Sequence, residues 1–224
     1  MRLLDLFCGA GGAAMGYSRA GFTDIVGVDI KPQPRYPFTF VEADAMTYPL
    51  DGFDAIHASP PCQIYSSLNT MRNFRAGHLD LVGPVRERLS AAGVPWIIEN
   101  VVGAPLITPL ILCGSQFGLK SKSGYELRRH RCFETSFALL APGPCRHGTM
   151  TAGVYGSKVR DIAKEKCHYA RLHSERGKPV GIVLPQIIGQ EVMDIGWMKA
   201  AELSQAIPPA YTEYIGRYLL EYLR

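Results

Sequence analysis

Short apolar runs separated by polar or helical stretches set the pattern of this chain. Leu3 to Phe7, Ile25-Val26-Gly27-Val28-Asp29, Phe38 to Val41, Phe53-Asp54-Ala55-Ile56-His57 and Pro95 to Val101 read as strands, most of them too apolar for a sheet with one face in water. Between them, Ala13 to Ala20 is a helix candidate. The stretch Leu79 to Ala92 places Leu81, Val82, Val85 and Leu89 at helical spacing. Further strands are expected at Leu110 to Gly114 and Arg131 to Phe137, and a final helix at Tyr211 to Leu223. Strands alternating with helices predict an α/β domain built on a mostly parallel twisted sheet with flanking helices.

The residues that end these strands carry the chemistry. The first strand runs into Cys8-Gly9-Ala10-Gly11-Gly12 and then a helix, a strand, glycine turn and helix in succession. Glycines let the backbone turn tightly against a ligand, and the helix start presents free amides. The spacing is not the G-x-G-x-x-G of dinucleotide enzymes, which disfavours a nicotinamide dehydrogenase. The second strand ends at Asp29, where a carboxylate can accept from both ribose hydroxyls of a nucleoside, or serve only as a turn residue. The third leads to Glu42-Ala43-Asp44, where Asp44 can accept from an adenine amino group.

The fourth strand stops at Ala58-Ser59-Pro60-Pro61-Cys62-Gln63. Two prolines end a strand and hold a thiol at its carboxyl end, where open α/β sheets bind ligands. A small apolar residue after a strand terminator is the plainer reading of the same motif. Gln63 to Gly77 then forms a long polar and basic loop, a lid candidate beside the thiol. The fifth strand ends in Glu99, a carboxylate after large apolar residues, costly to bury unless it has a partner. The basic cluster Arg128-Arg129-His130-Arg131 follows at the entry to a later strand.

Composition refines this picture. The 224 residues are 47% hydrophobic, enough for a substantial core, and the net charge is +4 with a pI of about 8.7. From Pro142 to about Lys178 periodicity fades, and eight cations, among them Arg146, Lys158 and Arg160, face three anions. The excess of five accounts for the whole net charge, so this stretch is read as a small irregular basic lobe suited to phosphates. Cys145, His147, Cys167 and His168 lack the usual zinc-ligand spacing, and no metal site is expected. The six cysteines form no disulfide framework, which suits a reducing compartment. Asp5 interrupts the first apolar run and Phe7 is bulky where a signal cleavage site wants a small residue, so an export signal is not indicated. No run approaches a membrane span. A cytoplasmic monomer is expected.

The motifs, taken together, resemble those of the cytosine-C5 DNA methyltransferases, in particular compact phage or prophage members. They are Phe7-Cys8-Gly9-Ala10-Gly11-Gly12, Pro60-Pro61-Cys62-Gln63 followed by Ser66, Glu99-Asn100-Val101, Arg129-His130-Arg131 and Ala206-Ile207-Pro208-Pro209, in the family's order. The resemblance implies a Rossmann-like fold dependent on S-adenosylmethionine, with the methyl group carried to C5 of a cytosine flipped out of double-stranded DNA. Cys62 is then the nucleophile that attacks C6. Glu99 holds the N3 and amino edge of the base, and Arg131, with Arg129, contacts O2 or the nearby backbone. Phe7, Gly9, Ala10, Gly11, Gly12, Asp29, Ile30, Asp44, Ala45, Pro61, Ala206 and Ile207 are the cofactor residues. Gln63, Ser66, Arg72, Arg75, Arg146, Lys158 and Arg160 are the DNA contacts.

The implied organisation is a catalytic domain over 1–141, a target-recognition lobe over 142–189 and a returning segment over 190–224. This sequence departs from the family at Leu127, where glutamine is usual, and at Ser204-Gln205, where Gly-Asn is usual. An RNA cytosine-C5 methyltransferase with the same motifs and a non-catalytic nucleic-acid-binding relative are the alternatives.

Overall fold

A computed structural model describes residues 1–65, 79–155, 158–162 and 183–224. In chain order the elements are β1 (Arg2–Leu6), α1 (Gly12–Ala20), β2 (Asp24–Asp29), β3 (Thr39–Glu42), β4 (Ala55–Ala58), α2 (Val82–Ala91), β5 (Trp96–Asn100) and β6 (Leu110–Leu112). There follow β7 (Glu126–Leu127), β8 (Arg131–Thr135), β9 (Thr151–Tyr155), β10 (Lys158–Asp161), β11 (Val183–Leu184), α3 (Gln186–Met193), α4 (Ala200–Gln205) and α5 (Pro209–Tyr222). They divide between two compact units. The first holds Met1–Leu112, His130–Pro142 and Ala206–Arg224, and the second holds Cys113–Arg129 and Gly143–Gln205.

The first unit is a seven-stranded sheet in the order β3-β2-β1-β4-β5-β8-β6. Strands β1 to β5 pair in parallel, and β8 runs antiparallel between β5 and β6. Strand order reverses between β1 and β4. In such sheets the crevice outside the strands' carboxyl ends at this reversal is the place for a ligand.

Pleating sorts the side chains. Leu4 and Leu6, with Val26, Val28, Ile56, Ala58 and Ile98 of the neighbouring strands, pack into one core with Val85 and Leu89 of α2. Those two helical residues are the apolar stripe read from the sequence. The other face carries Asp5, in register with Gly27 and His57. It meets α1, where the Tyr17 hydroxyl lies 2.9 Å from His57 Nδ1.

Helices α1 and α5 pack so closely that Gly16 and Gly216 are required. A Cβ at Gly16 would overlap Thr212 Oγ1 and the Pro209 carbonyl and lie 2.7 Å from Glu213 N, and one at Gly216 would lie 2.7 Å from Ala20 Cβ. The buried Thr212 hydroxyl donates to Ala13 O at 2.8 Å across this seam, which ties the last helix to the first.

The second unit contains a four-stranded sheet, β11-β10-β9-β7, with β7 parallel to β9 and the other pairs antiparallel. Strands β9, β10 and β11 and helix α3 correct the expectation of an irregular lobe: alternation here is short and interrupted by glycine, so the period-2 signal is weak. Because Glu126 and Leu127 pair with Thr151 and Ala152, residues 113–129 group with later sequence. The units therefore divide at 112/113, 129/130, 142/143 and 205/206, beside expected boundaries at 141/142 and 189/190. The proposed lid, 63–77, lies mostly outside the described residues.

Candidate active site

The glycine loop leaves β1 through Phe7 at φ 57°, a left-handed conformation rare for a bulky residue. Gly9 (φ 49°) and Gly11 (φ 83°) are left-handed as well. Alternating signs of φ turn successive amides to one side, the geometry of a concave anion- or polar-group-binding nest. Strain at Phe7 is held by neighbours: Cys8 N–H donates to Val28 O and Gly11 N–H to Cys8 O, both at 3.1 Å. Each of these glycines answers a different need. A Cβ on Gly9 would meet nothing within 4 Å, so that face of the loop is open; one on Gly11 would lie 2.6 Å from Pro37 Cδ. On Gly12 it would strike the Ile207 carbonyl and lie 3.2 Å from Ala206 Cβ. The Ala206-Ile207 segment thus returns onto the glycine loop.

Asp29, at the end of β2, accepts from Gly9 N–H through Oδ2 and from Lys31 N–H through Oδ1, each at 3.0 Å. Its carboxylate closes the glycine loop from the second strand and keeps lone pairs for further donors. Ile30 beside it is 66% exposed, an apolar side chain at the crevice rim. After β3, the exposed Asp44 accepts from Met46 N–H at 2.8 Å, and Ala45 is buried in the core. A nucleoside-sized ligand lying across the ends of β1, β2 and β3 would meet a nest of amides, two carboxylates and an apolar wall. The chemistry of these donors fits the adenosine and methionine parts of S-adenosylmethionine.

Cys62 sits on the neighbouring side of the strand reversal. Its loop is pinned from both flanks. Ser59 N–H donates to Leu6 O of β1 at 3.1 Å, and the buried Asn100 amide at the end of β5 donates to Pro60 O at 2.9 Å. Asn100 Oδ1 in turn accepts from Val101 N–H at 2.9 Å. Beneath the loop, His57 Nε2 lies 2.9 Å from Ser59 Oγ, and burial lowers this imidazole to about 3, so it stays neutral at ordinary pH. Pro61 is exposed, Cys62 and Gln63 are half-buried, and Tyr65 N–H closes the following turn onto Cys62 O at 3.0 Å. Cys8 and Cys132, by contrast, are buried, and desolvation pushes both thiols up, Cys132 to about 11 with Glu99 contributing. Those two are packing residues, while Cys62 stands at the crevice.

Glu99 and Arg131 come together as a buried ion pair, Nε to Oε1 3.0 Å, with side chains only 8% and 11% exposed. The antiparallel register makes this possible: Asn100 faces Cys132 and Glu99 faces Phe133, so Arg131 enters beside the end of β5. The burial cost anticipated for Glu99 is offset by its partner.

A correction concerns Arg129. It is fully buried in the second unit and donates to Val154 O at 2.6 Å and Ser204 O at 2.8 Å. Two backbone carbonyls, one in β9 and one in α4, hold the guanidinium, which makes it a strut of that unit. Its neighbour Leu127 is buried under Gly114, consistent with the absence of a polar residue there. The sequence also missed Asn100 as the residue that fixes the Cys62 loop; the signal was its place directly after Glu99 at a strand end.

Of the predicted nucleic-acid contacts, Ser66, Arg72 and Arg75 lie outside the described residues. Lys158 and Arg160 alternate with the buried Val159 along β10 and so share its outer face. Arg146 is exposed in the second unit, where its backbone N–H donates to Ser115 Oγ at 3.2 Å.

Residues 1–103 match the family model for C-5 cytosine-specific DNA methylase. This stretch carries both the glycine loop and the Pro-Pro-Cys loop. A search of curated proteins finds no match. Among solved structures, an E. coli prophage-encoded protein described as a DNA modification methyltransferase aligns with TM-score 0.59 and 15% identity, covering 100% of this chain and 99% of that one. The Dnmt2 methyltransferase of S. pombe aligns at 0.62 and 13% identity, with the same coverage, and a Spodoptera frugiperda DNMT2 variant at 0.60 and 13%, covering 99% of each. At such identities the likeness shows the fold alone, a Rossmann-like α/β fold with a mostly parallel sheet. Among the described residues no helix is long and apolar enough to cross a membrane.

Proposed function

We propose that this protein transfers the methyl group of S-adenosylmethionine to C5 of a cytosine flipped out of duplex DNA. The observation that carries the reading is the gathering, at the carboxyl ends of adjacent strands, of a pinned half-buried thiol, a buried Glu99–Arg131 pair and an open-faced glycine loop. Bound S-adenosylmethionine supplies the electrophilic methyl. Cys62 as thiolate adds to C6, which makes C5 electron-rich, and leaves again once the C5 proton is lost. Glu99 sits within reach of the N3 and amino edge of a base in the crevice and supports a proton at N3 while C6 is attacked. Arg131 holds Glu99 in place and supplies positive charge as the adduct forms. The base must leave the stack first, because stacking hides the ring faces the thiol needs. Arg146, Lys158 and Arg160 serve as phosphate contacts in this reading.

The test is base-conversion sequencing of DNA from a host without its own cytosine methylation, expressing the protein or its Cys62→Ala form. Protected cytosines in one short context, lost with Cys62→Ala, support duplex DNA as substrate. Folded wild-type protein that protects no cytosine in DNA overturns it, and methylation of small RNAs by the same preparation would then assign the chemistry to RNA.

A further inference from the structure

Three metal-binding side chains converge in the second unit. Cys113, at the start of the short 3-10 turn Gly114–Phe117, is fully buried, and its Sγ lies 3.3 Å from His147 Nε2. Cys145 joins them, so that one donor atom from each of the three lies within 4.8 Å of the others. The spacing Cys-x-His at 145 and 147 looked too sparse for a zinc site along the chain. Its missing ligand comes from more than thirty residues upstream.

We propose that Cys113, Cys145 and His147 bind a zinc ion that staples the loop 142–150 to the second unit. The distances fit. With Zn–S about 2.3 Å and Zn–N about 2.0–2.1 Å, tetrahedral geometry sets sulfur–nitrogen edges near 3.6 Å and sulfur–sulfur edges near 3.8 Å. The observed 3.3 Å is within a few tenths of the first, and the 4.8 Å limit leaves about 1 Å of contraction for the widest pair.

The surroundings point the same way. Pro142-Gly143-Pro144-Cys145-Arg146-His147-Gly148 has no apolar anchor and is mostly exposed, so no core holds it. Hydrogen bonds instead lay it against the Cys113 turn: Gln116 Nε2 to Gly143 O at 2.5 Å, Arg146 N–H to Ser115 Oγ at 3.2 Å, and Gly148 N–H to Glu126 Oε2 at 3.2 Å. These contacts bring both loop ligands to Cys113. A metal there joins segments far apart in sequence, and its binding energy becomes stability of the unit. The fourth position falls to water or to another donor. Arg146, between the two loop ligands, is then fixed with its side chain outward, beside a cleft of about 400 Å³ also lined by Ser115, Lys120, Glu126 and His147.

The test uses the full chain without a histidine tag, expressed in zinc-supplemented medium and purified under reductant. Elemental analysis should find close to one zinc per chain, falling roughly tenfold or more in Cys145→Ser and His147→Ala and persisting in Cys132→Ala, outside the set. Should a variant fail to fold, the wild type stripped by chelator and refilled with cobalt(II) decides: a thiolate-to-cobalt charge-transfer band with intense visible absorption marks a tetrahedral sulfur site. Wild-type protein free of zinc that gives only a weak six-coordinate cobalt spectrum overturns the proposal. So does zinc retained in folded Cys145→Ser, or a non-reduced mass lower by two hydrogens with Cys113 and Cys145 in one disulfide-linked peptide pair.

Discussion

Glycine-to-alanine substitutions in two helices of the first unit should change stability in opposite directions, and the space around each Cβ decides which. In an exposed helix interior the exchange gains about 1 kcal/mol, because alanine loses less backbone entropy. Gly83, half-buried in the first turn of α2, has room for a Cβ, which would meet nothing within 4 Å, but it precedes Pro84, so Gly83→Ala should gain at most about 0.5 kcal/mol. Gly16 in α1 has the same propensity term and no room. Its Cβ would displace Thr212 Oγ1 from its buried bond to Ala13 O and push on the Pro209 carbonyl and Glu213 N, all parts of α5 or its start. Overpacking of this kind costs about 1–3 kcal/mol, and the strained buried hydrogen bond about 1 more. Against a gain of about 1 kcal/mol from propensity, the net for Gly16→Ala is a loss of about 2 kcal/mol. Urea denaturation followed by far-ultraviolet circular dichroism measures both, provided the slope m is unchanged. A neutral or stabilising Gly16→Ala would refute the seam as described.

Other substitutions probe the site and its supports. Glu99→Ala should lower methyl transfer by about 10²- to 10⁴-fold with the fold retained, measured as tritium incorporation from labelled cofactor. Asn100→Ala removes the donor to Pro60 O and should cost about 1–3 kcal/mol of stability while lowering kcat more than it raises KM, since the thiol is mispositioned and not deleted. Glu134→Ala strands Arg86, which it grips through both oxygens at 2.6 and 2.7 Å, and should destabilise by about 3 kcal/mol in the same denaturation assay. The pH dependence of stability should turn on Asp5, raised to about 8 by burial, and His57, lowered to about 3 by burial. Unfolded, they titrate near 3.9 and 6.5. From about 4 to 6.5 the folded chain holds the Asp5 proton while the unfolded chain holds the His57 proton, so the two cancel. From about 6.5 to 8 the Asp5 proton alone is retained on folding, and stability falls by about 1.4 kcal/mol per pH unit. Asp5→Asn should flatten that fall, as read from urea midpoints at each pH.

Strand ends were legible where chemistry forced an unusual residue into an apolar context. Glu99 after Trp96-Ile97-Ile98, and Cys62 after two prolines, stand out because neither is explained by packing, and both are found at the crevice. The first five strands were also readable, since parallel strands buried on both faces leave nearly continuous apolar runs. The sheet of the second unit was not. Its strands β7 and β11 have two residues each, too short for any period, and β9 gains its place by pairing across 25 residues of sequence. Arg129 was misjudged for a related reason. A cation two residues from Arg131 looks like its companion along the chain, yet its guanidinium is held by the carbonyls of Val154 and Ser204.

The same logic explains why Asn100 matters more than its silence in the sequence suggests. A thiol placed by a strand end and two prolines is restricted in φ but free to swing about the residues before them. One buried amide closing on Pro60 O removes that freedom, and the adjacent residue, Glu99, carries the carboxylate paired with Arg131. The Cys62 loop and the Glu99 carboxylate are thereby referenced to the same end of β5. Through the β5–β8 register, Arg131 is referenced to it as well. Any displacement of β5 moves all three groups together, so their mutual geometry survives small motions that would disable a site assembled from independent loops. Asn100→Ala breaks that common reference on the thiol side alone, which is why it should separate kcat from binding where Glu99→Ala does not.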